Sequence, residues 1–255
     1  MTRSTRKWRR QAGFSLLELA ISVLVLVIVM GAVFKQINNV QKNTKAESLK
    51  LDLTQENREF IDQFSRDLHM SGYPAPKMFS NYQGRTDPLA ASGLVFISTT
   101  DLIFEGDVYG NGLVFRVEYR YFPNDPNDPH CPCIRRSVTQ KSAAGADPLT
   151  GYPAPTYYTE VQDVIDPTGM NEPLFTYFQA SGAEVVVNTH ACGTPAPLAP
   201  PPAPAAGCAD LVNDTTFVQQ IDAIKVNLNT RSREFDPQTR IQHVNSLSAI
   251  AELEN

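Results

Sequence analysis

No proline precedes Pro74, and Gly31 is the only glycine between Phe14 and Gly72, so nothing in the first part of the chain interrupts a helix. Cysteine is scarce: four in 255 residues, none before Cys131, which excludes a disulfide-dense miniprotein. The 19 prolines follow no glycine period, which excludes a collagen-like repeat, and 42% apolar residues exclude wholesale disorder. The sequence holds no G-x-S-x-G, H-E-x-x-H, phosphate loop or dinucleotide fingerprint. The common motif-borne chemistries therefore have no visible site, and no catalytic residue, resident metal or cofactor is expected. Acids are absent from the first thirteen residues, where Arg3, Arg6, Lys7, Arg9 and Arg10 stand together. Without that tail 17 basic residues face 27 acidic ones, a net −10, which argues against nucleic acid as a direct ligand of the remaining body.

What is present is a long apolar run. Residues 14–34 read FSLLELAISVLVLVIVMGAVF, with Glu18 as the sole charge. Twenty-one residues at a helical rise of about 1.5 Å span roughly 30 Å, the thickness of a bilayer's hydrocarbon core. The basic block before the run places residues 1–13 in the cytoplasm and everything after about residue 36 on the far side, a single pass. A buried core helix is the first alternative, but an all-round apolar surface needs an enclosing core that the rest of the chain hardly supplies. A cleaved secretory signal is the second, with Val29-Met30-Gly31 as a loose cleavage site. Glu18 weighs against both, because an acid within an apolar membrane helix calls for a cationic partner.

The stretch Gly13-Phe14-Ser15-Leu16-Leu17-Glu18-Leu19, after a short basic leader and before the apolar run, resembles the processing site of type IV prepilins and pseudopilins. The resemblance implies cleavage between Gly13 and Phe14 by a membrane-embedded prepilin peptidase, methylation of the new Phe14 amine, and retention of the apolar segment. It also implies that Glu18 docks on the N-terminal amine of a neighbouring subunit as the helix enters a filament. The physics agrees: an ammonium and a buried carboxylate attract strongly at low dielectric, while either alone is costly.

Beyond Phe34 the chain turns polar without a breaker, and one long helix is the economical reading. Leu49, Leu53, Phe60, Phe64 and Leu68 recur on one stripe with Asn57 in the gap, and a stripe of this kind packs against its own domain. Asp62 and Arg66 stand four apart in the favourable acid-first order on a neighbouring face. Ser71-Gly72-Tyr73-Pro74 supplies the stop. Residues 53–73, LTQENREFIDQFSRDLHMSGY, resemble the post-membrane helix of PilW-like minor pilins. The length of the chain points the same way, as does Lys35 where many major pilins carry a kinking proline.

From residue 93 the period becomes alternating. Strands are expected at Gly93–Ser98, Asp101–Tyr109, Leu113–Phe122, Cys133–Thr139, Leu174–Phe178, Ala183–Asn188 and Ala223–Asn229. Asn111-Gly112 reads as a two-residue hairpin turn. In the strand that follows, Phe115, Val117, Tyr119 and Tyr121 alternate with Arg116, Glu118 and Arg120, a half-buried pattern with its charges outward. A last run around Ile241–Leu253 is ambiguous between strand and helix. The segments at 173–185 and 224–240 resemble, more weakly, late strands of PilW-like and GspJ-like subunits. The expected fold is α+β and pilin-like: a long N-terminal helix, membrane-spanning in its first half, packed on an antiparallel β-sheet. The parts are a cleaved leader at 1–13, a transmembrane and filament-core helix at 14–35, its exported continuation at 36–73, and a periplasmic β-rich domain at 74–255.

Residues 194–207 form a proline-rich loop, either a groove-binding ligand or an exposed insertion. The turn-rich segment from Pro123 to Pro129 carries Asp125 and Asp128 but lacks the ligand count and the distal glutamate of an EF-hand loop. Cys131, Cys133, Cys192 and Cys208 all fall in the exported part, where oxidation is the default. Cys192–Cys208 would staple the base of the proline-rich loop and leave Cys131–Cys133 as a tight bridge; cross-pairing of the two clusters is the alternative. His130 and His190 stand beside these cysteines without zinc-finger spacing. His69 and His243 have no chemical neighbours to recommend them.

The resemblance as a whole implies a structural minor pilin, waiting in the inner membrane with its C-terminal domain in the periplasm and then entering a type IV pilus at the cell surface. Its implied partners are other minor and major pilins, the prepilin peptidase and the inner-membrane assembly platform. The implied activities are pilus assembly with adhesion, twitching motility or DNA uptake. A minor pseudopilin of a type II secretion system is the alternative within the class, and a membrane-anchored periplasmic enzyme or binding protein the alternative outside it.

Overall fold

The computed structural model describes residues 15–125, 128–129, 131–142, 145, 147–148, 151–167, 172–185, 187, 221–237 and 239–253. Gly13, Phe14, His130, His190, Cys192, Cys208, the leader and the proline-rich loop lie outside the described residues. The chain divides into two compact units, Met1–Ser48 with Asp236–Arg240, and Leu49–Phe235 with Ile241–Asn255.

Helix α1 runs from Leu16 to His69, 54 residues without a break. In the first unit its large apolar side chains, from Leu16 to Val40, are exposed. In the second unit the polarity reverses, and Phe60, Phe64 and Leu68 are buried, with Leu49 and Leu53 half-buried, as the stripe predicts. Arg66 does not take up the expected partner Asp62; it donates to Oε1 of Gln63 at 3.1 Å, while Gln63 Nε2 donates to Asp67 at 2.6 Å. The helix stops where Ser71 N–H returns to the Leu68 carbonyl at 2.9 Å and Gly72 takes a φ of 80°. Gly72 N–H then bonds the Glu105 carbonyl at 2.9 Å, which brings the helix end onto β2. A Cβ on the facing Gly106 would sit 2.2 Å from the Met70 carbonyl oxygen, so only glycine permits this approach.

Among the described residues nine strands follow: β1 (Gly93–Ile97), β2 (Asp101–Gly106), β3 (Phe115–Phe122), β4 (Cys133–Gln140), β5 (Tyr158–Val161), β6 (Phe175–Gln179), β7 (Glu184–Val185), β8 (Ile221–Phe235) and β9 (Gln242–Glu252). They form a five-stranded sheet in the order β1-β2-β3-β4-β5 and a four-stranded sheet in the order β7-β6-β8-β9, every pairing antiparallel. The arrangement is the expected pilin-like α+β one, with two sheets in place of one. The ambiguous C-terminal run is a strand, paired residue for residue with β8 from Ala223↔Glu252 to Arg231↔Val244.

One core joins the second half of α1 to both sheets. Phe64 stacks on Phe175 of the four-stranded sheet at 5.6 Å and meets Tyr119 of the five-stranded sheet edge-on at 5.3 Å. Two polar contacts fix the helix in register between them. Asn57, in the gap of the stripe, exchanges hydrogen bonds with Thr230 on β8. Asp67 accepts from the Tyr119 hydroxyl and from Arg136 Nε, both at 2.7 Å, so the carboxylate buried in the last helical turn has a cation to oppose the helix dipole.

Strand β3 departs from the expected half-buried pattern: all eight of its residues are buried, the charged face included. Arg116, Glu118 and Arg120 are only 4%, 1% and 3% exposed. Their enclosure follows from the register, which sets Glu105 opposite Arg116 and Asp101 opposite Arg120 across the β2–β3 pair. Glu118, between the two arginines, accepts from Arg116 at 3.0 Å and from Arg120 at 2.6 Å. Arg120 Nε also lies 3.1 Å from Asp101 Oδ1, at an angle that carries charge attraction but no hydrogen bond. Lys141 completes the set, its ammonium donating to Glu105 at 2.9 Å and to the carbonyls of Arg85 and Ala90. Three acids and three bases thus form a neutral buried ladder. Its lid is aromatic: Tyr152 donates to Glu105 at 2.8 Å and Tyr157 to Glu118, with Arg116 and Arg120 each 5.6 Å from the centre of one of these rings. Burial, and then the neighbouring carboxylates, push both phenols far above their ordinary range, so they remain donors.

The connection from β2 to β3 also differs from the two-residue hairpin that Asn111-Gly112 suggests. Pairing ends at Gly106↔Phe115, and the longer loop between is gathered by the Asp107 carboxylate, which accepts from the N–H groups of Asn111 at 3.0 Å and Gly112 at 2.6 Å.

The core and the ladder lead to three expectations for the full chain in detergent, read by chemical denaturation. Phe64→Ala removes a ring that touches both sheets and is expected to cost about 3–5 kcal/mol. Glu118→Ala strands two buried guanidiniums, and breaking a buried pair in this way costs about 3–5 kcal/mol; a loss within experimental error would show that the ladder is not a stabilising unit. The third concerns acid. Burial raises Asp101 to about 6, against the pull of Arg120 and with a push from Glu118. The unfolded carboxyl sits near 3.9, so between about pH 4 and 6 the folded state binds the extra proton. The stability of the wild type relative to Asp101→Asn should therefore rise as the pH falls through 6 toward 4, and parallel profiles would refute the assignment.

Candidate functional site

The N-terminal end of α1 is built from very few groups. Ser15 precedes the helix, and its carbonyl accepts from the N–H of Glu18 at 3.0 Å and of Leu19 at 3.1 Å. Glu18 thereby falls in the first helical turn, where the positive end of the helix dipole favours an acid. Four residues on, the Ser22 hydroxyl donates to the Glu18 carbonyl at 2.8 Å, which satisfies a polar group inside the apolar run. Among the described residues nothing partners the Glu18 carboxylate.

Around this carboxylate the helix is apolar on every side. Leu16, Leu17, Leu24 and Ile28 are exposed by 87, 71, 61 and 64%, a degree incompatible with a core helix of this chain. The span is long and apolar enough to cross a membrane. An acid at the first turn and an enveloping apolar surface form one arrangement: a helix to be enclosed by lipid or by other helices, with one negative group seeking a positive one. Gly13 and Phe14 adjoin it in the sequence but lie outside the described residues.

The other clusters that sequence reasoning weighed for chemistry are engaged internally. Asp125 and Asp128 both hold Arg135, at 2.6 and 2.9 Å, and Thr159 adds a donor to Asp128 at 3.2 Å. The guanidinium lies 4.9 Å from the centre of the Phe122 ring. The turn with two acids is thus fastened to β4 by a side chain of the protein itself. Cys131 and Cys133 are bonded to each other, so their sulfurs and the Asp128 carboxylate, although close together, are occupied. Cys192 and Cys208, and with them the bridge at the base of the proline-rich loop, lie outside the described residues. His69 is exposed on the last helical turn, while the His243 backbone N–H bonds the Ser232 hydroxyl at 2.8 Å.

Sequence reasoning missed the ladder on β2 and β3. Its signal was present in the charges alternating along β3 and in Asp101 and Glu105 on the preceding strand, but only the register shows that they oppose one another. The ladder groups balance one another's charge beneath two tyrosines, as buried structural ion pairs do.

Residues 8–34 match the family of the prokaryotic N-terminal methylation motif, 27 of the 255 positions. No curated protein and no solved structure matches the chain. The motif covers the end of the basic leader with Arg9 and Arg10, the Gly13–Phe14 junction, Glu18 and the apolar run, the stretch on which the resemblance in the sequence rests. Together with the exposed helix it supports a type IV pilin-like or pseudopilin protein, with pilin-type partners, peptidase processing and a membrane-anchoring N-terminal helix.

Proposed function

We propose that the chain is a minor pilin of the PilW-like kind, a structural subunit that primes or takes part in type IV pilus assembly. The leader is removed between Gly13 and Phe14, the Phe14 amine is methylated, and residues 14–35 hold the subunit in the inner membrane with its β-rich domain in the periplasm. Assembly then exchanges lipid for the helices of other minor and major pilins. The single observation behind this reading is the methylation motif at residues 8–34, whose apolar part falls in the exposed first half of α1.

In this reading Glu18 acts by charge alone. Removal of the leader creates an ammonium at Phe14, and the carboxylate attracts the corresponding ammonium of a neighbouring subunit in a medium of low dielectric, where the pair is far more stable than either ion by itself. Methylation keeps that charge while adding apolar surface. A pseudopilin of a type II secretion system would use the same junction and the same carboxylate. Deletion of the gene separates the two: loss of surface pili with secretion intact supports the pilus, and the reverse supports secretion.

The decisive measurement is the mass of the mature N-terminal peptide from membranes of the native host. A methylated Phe14 start is expected; a start near Ala32, or an intact Met1 leader, would overturn the pilin-type reading. Glu18→Ala should leave that mass unchanged while depleting the subunit from sheared filaments, and normal incorporation would remove the docking role.

A further inference from the structure

Charge along the exported chain is divided at one place. Between residues 35 and 50 four lysines meet one acid, Glu47; from residue 51 onward thirteen basic residues face twenty-five acidic ones, a net −12. The cationic segment is the part of α1 that follows the apolar run directly. Lys35 and Lys42 are exposed and seven positions apart, hence on one face of the helix. The residues between them include Gln36, Asn38, Asn39 and Gln41, all exposed amides, without an acid. The turn Asp236–Arg240 belongs to the same compact unit, and it adds an exposed arginine, Arg240, while its Asp236 is buried.

From these observations we infer that the neck of the protein, Lys35 and Lys42 on α1 with Arg240 on the β8–β9 turn, is a docking surface for anionic lipid headgroups of the leaflet from which the helix emerges. This rests on the membrane-spanning reading of residues 14–35. With the hydrocarbon core ending at Phe34, Lys35 lies at its boundary and Lys42 about 10 Å farther along the helix. The headgroup layer is about 5–8 Å deep, so a lysine stem reaches back into it. The amides between the two lysines hydrogen-bond phosphate and glycerol oxygens without repelling them. The acidic part of the chain begins at residue 51, about two and a half turns beyond Lys42. A neighbouring acidic protein surface has complementary charge too, but the neck is continuous with the span, and lipid is the surface it necessarily meets.

The test uses the full chain reconstituted in bilayers holding equal amounts of phosphatidylglycerol and phosphatidylcholine, with a photo-crosslinking residue at Asn39. Lipid adducts are identified by mass, and carbonate extraction checks the insertion. The expected result is a several-fold excess of phosphatidylglycerol adducts that falls to parity in the Lys35→Gln/Lys42→Gln variant and declines with added salt. Parity in the wild type, an excess unchanged in the double variant, or crosslinks to protein in place of lipid would each overturn the inference while leaving the membrane span intact. Extraction of the wild-type chain by carbonate would overturn both.

Discussion

An α-helix that is apolar on every side cannot end its apolar surface within water, and residues 16–34 of this protein are such a helix, with their large apolar side chains exposed. Everything else follows from where that surface is enclosed. In the proposed function lipid encloses it before assembly and other helices of the same kind enclose it afterwards. Glu18 is the one charged residue in the run, and lipid does not explain its identity.

The same helix changes its company after residue 48 without changing its geometry. Its later turns present aromatic rings to two sheets at once, and Asn57 and Asp67 hold the register between those rings by bonds to Thr230, Tyr119 and Arg136. Hydrophobic contact alone would tolerate a slip of the helix by a turn. The buried polar pairs do not, because a slip would leave each of them unsatisfied at a cost of about 1–3 kcal/mol per group.

Much of this was legible in the sequence because it depended on local period. The apolar run, the stripe from Leu49 to Leu68, the glycine stop and most strands are patterns within a short window, and the exposed carboxylate at Glu18 stands out by composition alone. What was not legible depended on partners far apart in the chain. The charged face of β3 read as solvated because Arg116, Glu118 and Arg120 usually are; the register with Asp101 and Glu105, and the arrival of Tyr152 and Tyr157, bury it. Asn111-Gly112 read as a tight turn because that dipeptide is the usual two-residue hairpin signal; the Asp107 carboxylate gathers a longer loop in its place. Strand β5 went unseen because its four residues follow a proline-rich approach and take their order from β4. Strand β8 runs for 15 residues, well past the segment that its alternation marks, because β9 pairs along most of its length.

The interlocked charges of the ladder restrict how this sequence can drift over generations. Reversing or deleting any one of Asp101, Glu105, Arg116, Glu118, Arg120 or Lys141 leaves an opposite charge stranded under the two tyrosines, so a tolerated change has to arrive with its complement on the neighbouring strand. Lineages that share this fold are then expected to keep the ladder whole or to replace it with apolar residues all at once, while the surface loops around it vary freely. The outer face of the five-stranded sheet is in that sense an inherited block, exchanged as a set.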